Sequence, residues 1–476
     1  MRAALIVLLA APSGSALASP ASPASPHPPT TADYRRVADE AETDLRRHVI
    51  GVRYPRSVDR ERGGFHATYG RDWTPRPDHG RFIVYQARMT WLPAQVALAR
   101  PDLRDEQLGY ARHGASYLER AFWDRELGGF HDWLRDDGSA DPDRAAVKTA
   151  YGQSFAVYAL ATVYRATRDP AALDLAQRGF RWIEAHYRDD PNPGYLGGVR
   201  RDGSRIPFDP GSVRPPLDAI GNPSAYKAMN PHIHLLEAYT ELLRAWPDPL
   251  LRRRTEELLL FVRDRLYVEP GALHLLLTPD GRPVPGPDSF GHDVETTFLL
   301  LEAEEALGAA PDEKTYRAAR RLTDHALAWG WNPETGQLFN EGAALGPAHD
   351  RSLQWWAQYE WINALSLMHV LEGQRTTTYG DAFSKAWAFT RATFLDPEEG
   401  GVYQGIDARG NVNREKSQHW FAGYHTGRAL LLIADRMRTL CGEAGREMTT
   451  VPLRRARPHP STPGALAHHW RRAVVE

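Results

Sequence analysis

The chain has 476 residues, enough for several domains of ordinary size or for one large closed architecture. Lys plus Arg total 58 against 60 Asp plus Glu, a formal net charge of -2, so no basic field exists to hold a phosphate backbone, and nucleic acid is excluded as a partner. A single cysteine, Cys441, excludes an internal disulfide and a thiolate metal cluster, which leaves a packed core as the source of stability.

The chain opens on a targeting pattern. Arg2 precedes the apolar run Ala3 to Ala11, and Ala16-Leu17-Ala18 has the small residues of a cleavage site, so residues 1–18 are expected to be a signal peptide cut after Ala18. The apolar run is too short to span a bilayer, and no later segment approaches the roughly 20 apolar residues of a membrane helix. The expectation is a soluble exported protein, periplasmic or secreted, with no membrane partner. Residues 19–32 are rich in Pro and Ser and read as a linker, and residues 448–476 read as a flexible basic tail.

Between these ends lies an internal repeat. Gly63-Gly64-Phe65, Gly128-Gly129-Phe130, Gly197-Gly198-Val199, Gly271-Ala272-Leu273, Gly336-Gln337-Leu338-Phe339 and Gly400-Gly401-Val402-Tyr403 share a glycine-then-apolar pattern. Taking glycines 64, 129, 198, 271, 336 and 401, the gaps are 65, 69, 73, 65 and 65 residues. Asp137-Gly138, Asp202-Gly203, Asp280-Gly281 and Arg409-Gly410 follow as turn signals for short strand pairs.

The stretches between these loops have helical periodicity, at about 33–49, 82–99, 106–122, 148–167, 171–187, 228–246, 250–266, 291–307, 312–328, 353–372, 379–394 and 418–437. They fall into pairs. The member after each loop is apolar and rich in small residues, as in Tyr151 to Tyr164, whereas its partner carries Arg and Glu on one face, as in Leu250 to Leu266. Six such pairs predict an all-α (α/α)6 toroid of six inner and six outer helices over residues 33–440, with short hairpin loops at one mouth. An open solenoid is the alternative.

Each inner helix opens with polar or aromatic groups and then turns apolar. The sets are Gln86 and Arg88; Lys148, Tyr151 and Gln153; Asn230, His234 and Glu237; His292, Asp293 and Glu295; Trp355, Trp356, Gln358 and Glu360; Trp420, Tyr424, His425 and Arg428. In a toroid the inner helices run parallel, so these sets converge on one cavity. Asn230 and His234 are four apart and His292 and Glu295 three apart, so each pair shares a helix face. His232 points about 200° away from His234 and reads as structural, not as half of a metal clamp. Glu237, one turn beyond His234, stands either to orient that imidazole or to cap a buried network, and Tyr424 and Arg428 read equally as packing or as catalytic. At least one of the three tryptophans is expected to stack on a sugar ring.

Imidazole both accepts and donates protons near neutral pH, which suits proton transfer at carbon next to a carbonyl. His292 and His425 are the candidate proton carriers, with Arg88 and His234 as donors to the developing oxyanion. No Walker A sequence and no G-x-G-x-x-G after a strand is present, so a reaction without nucleotide, metal or other cofactor is expected.

These blocks also carry a resemblance. Gln86 to Trp91, Lys148 to Phe155, Asn230 to Tyr239, Ser289 to Glu295, Trp355 to Glu360 and Tyr424 to Arg428 resemble successive blocks of the N-acylglucosamine 2-epimerase superfamily, and within it the cellobiose 2-epimerases. The resemblance spans residues 33 to 440. It implies that His292 and His425 act as the acid/base pair for ring opening and C2 proton transfer, while His234 and Arg88 stabilise a cis-enediolate. It further implies that Tyr151, Asn230, Glu295, Trp355 or Trp356, and Trp420, with Glu237 beside them, bind a small oligosaccharide or monosaccharide. The implied product is the C2 epimer of a reducing-end glucose. Relatives that return the proton to C1 interconvert aldose and ketose.

Two other readings remain open at this level. Toroids of this kind also host glycoside hydrolases, which need two carboxyl groups across the scissile bond, and Glu295 and Glu360 are the candidates. A non-catalytic glycan-binding module accounts for the tryptophans but leaves Arg88 and three histidines without a task.

Overall fold

The computed structural model describes residues 29–443 apart from 142, 143, 145, 213, 214, 219, 220, 309–311, 344 and 345. The expected signal peptide, the linker up to residue 28 and the tail from 448 lie outside the described residues.

In chain order the helices are α1 (Thr31–Asp44), α2 (Gly51–Ser57), α3 (Ile83–Ala99), α4 (Arg104–Tyr117), α5 (Ala150–Thr167), α6 (Pro170–His186) and α7 (Met229–Ala245). They continue with α8 (Pro249–Phe261), α9 (Phe290–Ala306), α10 (Glu313–His325), α11 (Trp355–Glu372), α12 (Thr378–Phe394) and α13 (Tyr424–Leu440). Helix α1 runs through a π-helical stretch into α2, and α4, α8 and α10 end in the same kind of turn. Starts are capped locally: Thr149 caps α5, and Asp169-Pro170 and Asp248-Pro249 place a side-chain acceptor and a fixed φ at the starts of α6 and α8.

The odd-numbered helices from α3 to α13 form the inner ring, each packed on the next, and α13 packs back on α3. They are buried nearly all round, whereas α10 buries one face and turns Lys314, Arg317 and Arg320 outward. Helices α1, α4, α6, α8, α10 and α12 pack outside them, α1 against α13.

Short strand contacts fasten neighbouring repeats. Arg81–Phe82 pairs with Trp133–Leu134, Val147–Thr149 with Gly198–Arg200, Lys227–Ala228 with Leu276–Leu277, Asp288–Ser289 with Glu341–Gly342, and Leu353–Gln354 with Gly405–Ile406. The sixth contact, Tyr69 with Ser417, joins the last repeat to the first. The ring is therefore closed, and the open solenoid is set aside. The four expected turns are hairpins, with Gly138, Gly203, Gly281 and Gly410 all at φ between 83° and 87°.

In α3, α5, α7 and α11 the fourth residue ties down the glycine loop. Gln86 accepts the Phe65 N–H at 2.8 Å and donates to its carbonyl at 2.7 Å, Gln153 does the same with Phe130, and Gln358 with Leu338. His232 holds that place in α7: its Nε2 accepts the Tyr195 N–H at 2.9 Å while Nδ1 donates to the Ala228 carbonyl at 2.6 Å. The loop leaves no room for a Cβ at Gly64, where φ is 71° and the added atom would lie 2.5 Å from the Tyr117 ring. Gln86, Gln153 and Gln358 therefore do not face the mouth as expected. Lys148 is likewise a buried partner of Asp124, at 3.0 Å.

Candidate active site

The first two turns of the inner helices gather the candidate residues. On one wall Arg88 donates from Nη2 to the Tyr151 hydroxyl at 2.9 Å and from Nη1 to the Trp420 carbonyl at 3.3 Å. Its guanidinium lies 4.5 Å from the Phe155 ring centre and 4.9 Å from that of Tyr424, a stacked setting suited to a planar, permanently charged group. Burial pushes the Tyr151 phenol up to about 12, although Arg88 pulls the other way, so the hydroxyl stays neutral.

Three imidazoles are each anchored at Nδ1. His234 Nδ1 is 3.0 Å from Glu237, His292 Nδ1 is 2.8 Å from Ser289 Oγ, and His425 Nδ1 is 2.7 Å from Glu360. In His292 and His425, with Nδ1–H donating, the lone pair falls on Nε2 at the far side of the ring. In His292 that nitrogen meets the Asn230 amide at 3.1 Å. Burial, then the nearby His234 and Arg88, lowers His292 to about 3, and burial with Arg88 and Arg428 holds His425 well below the ordinary imidazole range. Both rings are therefore neutral at physiological pH.

Trp356 stands between these two histidines, half-buried, with its ring centre 4.7 Å from His292 and 5.5 Å from His425. Of the alternative tryptophans, Trp355 lies behind, buried against Phe421 at 4.2 Å. Trp420 is half-buried with its ring 6.1 Å from Tyr151, but it is not on a helix. Residues 418–421 form a turn, and α13 begins at Tyr424, six residues later than the apolar pattern predicts.

Beneath the rings lies one buried cation among three carboxylates. Arg428 donates from Nη1 to Glu237 at 2.5 Å and from Nη2 to Glu295 at 2.5 Å and Glu360 at 2.7 Å. Tyr424 adds its hydroxyl to Glu237 at 2.6 Å. Against burial, Arg428 and then His234 pull Glu237 down to about 2, whereas burial and the neighbouring Glu360 raise Glu295. Glu295, Glu360 and His425 offer donor atoms within 4.8 Å of one another, a spacing open to a metal ion. The Arg428 guanidinium already holds two of those carboxylates, and its charge opposes a second cation there.

The structure thus brings together Arg88, Tyr151, Asn230, His234, Glu237, His292, Glu295, Trp356, Trp420 and His425, and places Trp355 one layer back. Sequence reasoning missed Ser289 and Phe155. Both had a signal: Ser289 is three residues before His292, and Phe155 is the sixth residue of α5, the place that Arg88, His234, Glu295 and Glu360 take in α3, α7, α9 and α11.

Residues 63–429 match the N-acylglucosamine 2-epimerase (GlcNAc 2-epimerase) family. The chain is 29% identical over 397 residues to the cellobiose 2-epimerase of Bacteroides fragilis, covering 82% of this chain and 96% of the relative. The solved cellobiose 2-epimerase of Spirochaeta thermophila superposes with a TM-score of 0.74 at 30% identity, over 86% of this chain and 98% of that one. A D-mannose isomerase shares the fold, with a TM-score of 0.70 at 21% identity over 83% of this chain and 97% of its own.

Proposed function

Because the chain belongs to the N-acylglucosamine 2-epimerase family, we propose that it converts the reducing-end glucose of a β-1,4-linked disaccharide to mannose by moving a proton at C2. It is a carbohydrate epimerase. The observation that carries the proposed chemistry is the pair of neutral imidazoles, His292 and His425, on either side of Trp356, with Arg88 and His234 close by.

A base at C2 must accept a proton, and a neutral imidazole with Nδ1 anchored has its lone pair on Nε2 for that purpose. One of the two carriers takes the C2 proton, and the electron pair moves toward C1, placing negative charge on the carbonyl oxygen. The Arg88 guanidinium, and His234 through an Nε2–H, meet that charge in the cis-enediolate. The other imidazole takes up a proton from water at Nε2 and delivers it to the opposite face of C2, while the first releases its proton to water, so the sugar leaves as its epimer with no net oxidation and no net gain of protons. The Asn230 amide donates to the His292 Nε2 lone pair and gives up that bond when the nitrogen takes a proton, and Trp356 and Trp420 offer flat faces to the sugar rings.

Hydrolysis finds less support. Its candidate acids, Glu295 and Glu360, converge on the same Arg428 nitrogen and are buried beneath the rings, which is not the placement of two carboxyl groups facing each other across a glycosidic bond.

The reading includes export after cleavage at Ala18. Amino-terminal sequencing of the protein recovered outside the cytoplasm is expected to begin at Ser19. Product analysis on cellobiose, mannobiose, glucose and mannose tests the activity: a C2 epimer supports the reading, a ketose moves it to aldose–ketose isomerisation, and released monosaccharide overturns it.

A further inference from the structure

The repeats differ in charge at one recurring place. Two residues ahead of α3, α5 and α7 stand Arg81, Lys148 and Lys227, and each reaches an aspartate just past the preceding outer helix. The distances are 2.6 Å to Asp59, 3.0 Å to Asp124 and 2.9 Å to Asp189. In the fifth repeat both positions are uncharged, Leu353 and Asn332. In the fourth, the acid's place is Val268, and the cation's place is taken by an acid, Asp288.

A second acid joins it. Asp293, the fourth residue of α9, stands where α3, α5, α7 and α11 place the glutamine or histidine that clamps the glycine loop, and His325 at the end of α10 completes a trio. Asp288, Asp293 and His325 are 2%, 0% and 3% exposed. Among the described residues, none of their side-chain oxygens and nitrogens has a partner at full hydrogen-bond geometry; the Leu273 N–H lies near Asp293 and the Gly342 N–H near Asp288, each only loosely placed. Two buried carboxylates and an imidazole so weakly partnered are costly unless protons or a cation compensate them.

The spacing favours a cation. His325 Nδ1 lies 3.6 Å from Asp288 Oδ2 and 3.8 Å from Asp293 Oδ2, too far for a direct N–H···O bond. Two ligands on a tetrahedral ion with bonds of about 2.0 to 2.2 Å are about 3.4 Å apart. One donor atom from each side chain lies within 4.8 Å of the others. Calcium, which takes six to eight oxygen ligands at longer bonds, fits this small mixed set poorly.

We propose that Asp288, Asp293 and His325 bind one first-row divalent metal ion of the zinc class. Two carboxylates neutralise its charge, and the ion stands in the fourth repeat where a lysine or arginine stands in the first three. It staples the Asp288–Ser289 strand and the first turn of α9, which carry Ser289 and His292, to the end of α10. Its part is structural, and it touches no atom of the sugar.

The test uses the whole chain, purified without chelator, with metal measured by mass spectrometry and thermal midpoints measured before and after EDTA and after adding zinc chloride. About one equivalent of zinc per chain is expected, with a midpoint that EDTA lowers and zinc restores. Asp293→Asn and His325→Gln are expected to weaken zinc binding at least about tenfold to a hundredfold. If either variant fails to fold, Asp288→Asn replaces it. Wild-type protein that takes up no zinc and keeps its midpoint in EDTA, or variants that bind zinc as the wild type does, overturn the proposal.

Discussion

Glu360 Oε1 lies 2.7 Å from His425 Nδ1 and 2.7 Å from Arg428 Nη2, so a single carboxylate oxygen both orients the imidazole and engages the buried cation of the site. Glu360→Gln keeps the shape but removes the charge that holds His425 in one tautomer. Turnover is expected to fall by roughly two orders of magnitude or more, as when an orienting carboxylate is lost from a catalytic histidine, with a smaller change in KM. Steady-state kinetics on the folded variant check this, and unchanged kcat would remove Glu360 from the account.

His292→Ala and His425→Ala are each expected to lower turnover by roughly two to four orders of magnitude, the usual worth of a positioned acid or base. Binding of the disaccharide, measured by calorimetry, should change far less. Full activity in either variant contradicts its role as a proton carrier.

His232→Gln should be nearly silent. The glutamines at 86, 153 and 358 perform the same loop clamp with one acceptor and one donor, so the replacement can hold Tyr195 as they hold Phe65, Phe130 and Leu338. His232→Ala leaves the Tyr195 N–H and the Ala228 carbonyl without that partner, for an expected loss of about 1 to 3 kcal/mol for each buried group left unpaired. Urea midpoints of the two variants decide it, and equal midpoints contradict the clamp.

Stability should fall with acid. Burial holds His232 at about 4 and His292 at about 3, and keeps His425 low as well. In the unfolded chain these imidazoles titrate near 6.5. Between the folded and unfolded values the unfolded chain binds protons that the folded chain does not. Each such group then costs roughly 1.4 kcal/mol per pH unit below about 6.5. Urea midpoints between about pH 7 and about pH 5 should drop, less steeply in His232→Gln. A flat profile contradicts the buried neutral state.

Closure of the ring depends on Arg53 of α2. It donates to Ser417 Oγ at 2.7 Å, the Lys416 carbonyl at 2.9 Å and the Phe421 carbonyl at 3.1 Å, and so holds the turn that carries Trp420. Arg53→Ala should lower stability by at least about 2 kcal/mol and raise KM, because the turn lies at the mouth. A variant with the stability and KM of the wild type contradicts this.

The six-fold spacing of the glycine loops was enough to expect the toroid, because a loop whose backbone lies hard against its neighbours, such as the Tyr117 ring at Gly64, the Trp182 ring at Gly129 and the α10 and α12 backbones at Gly271 and Gly336, has no room for a Cβ. The direction of individual side chains was harder to read. Gln86 and Arg88 are two residues apart and polar alike, yet the fourth residue of an inner helix faces the loops and the sixth faces the axis, about 200° away. The same offset separates His232 from His234, where the reading succeeded. The apolar pattern runs on through the turn at 418–421 and so predicts a helix at Trp420, whereas that turn is held by Arg53 from far away in the chain and α13 begins only at Tyr424. Likewise, no local pattern marks Arg428 as the shared partner of three carboxylates from three other helices.

The most direct test of the central claim is the position of label in the product formed from cellobiose in heavy water. A proton carried by imidazole exchanges with solvent, so the epimer, glucosyl-mannose, should carry deuterium at C2, read by NMR and mass spectrometry. Epimer with hydrogen retained at C2, label confined to C1 of a ketose, or free glucose in place of an epimer would contradict proton transfer at C2 by His292 and His425.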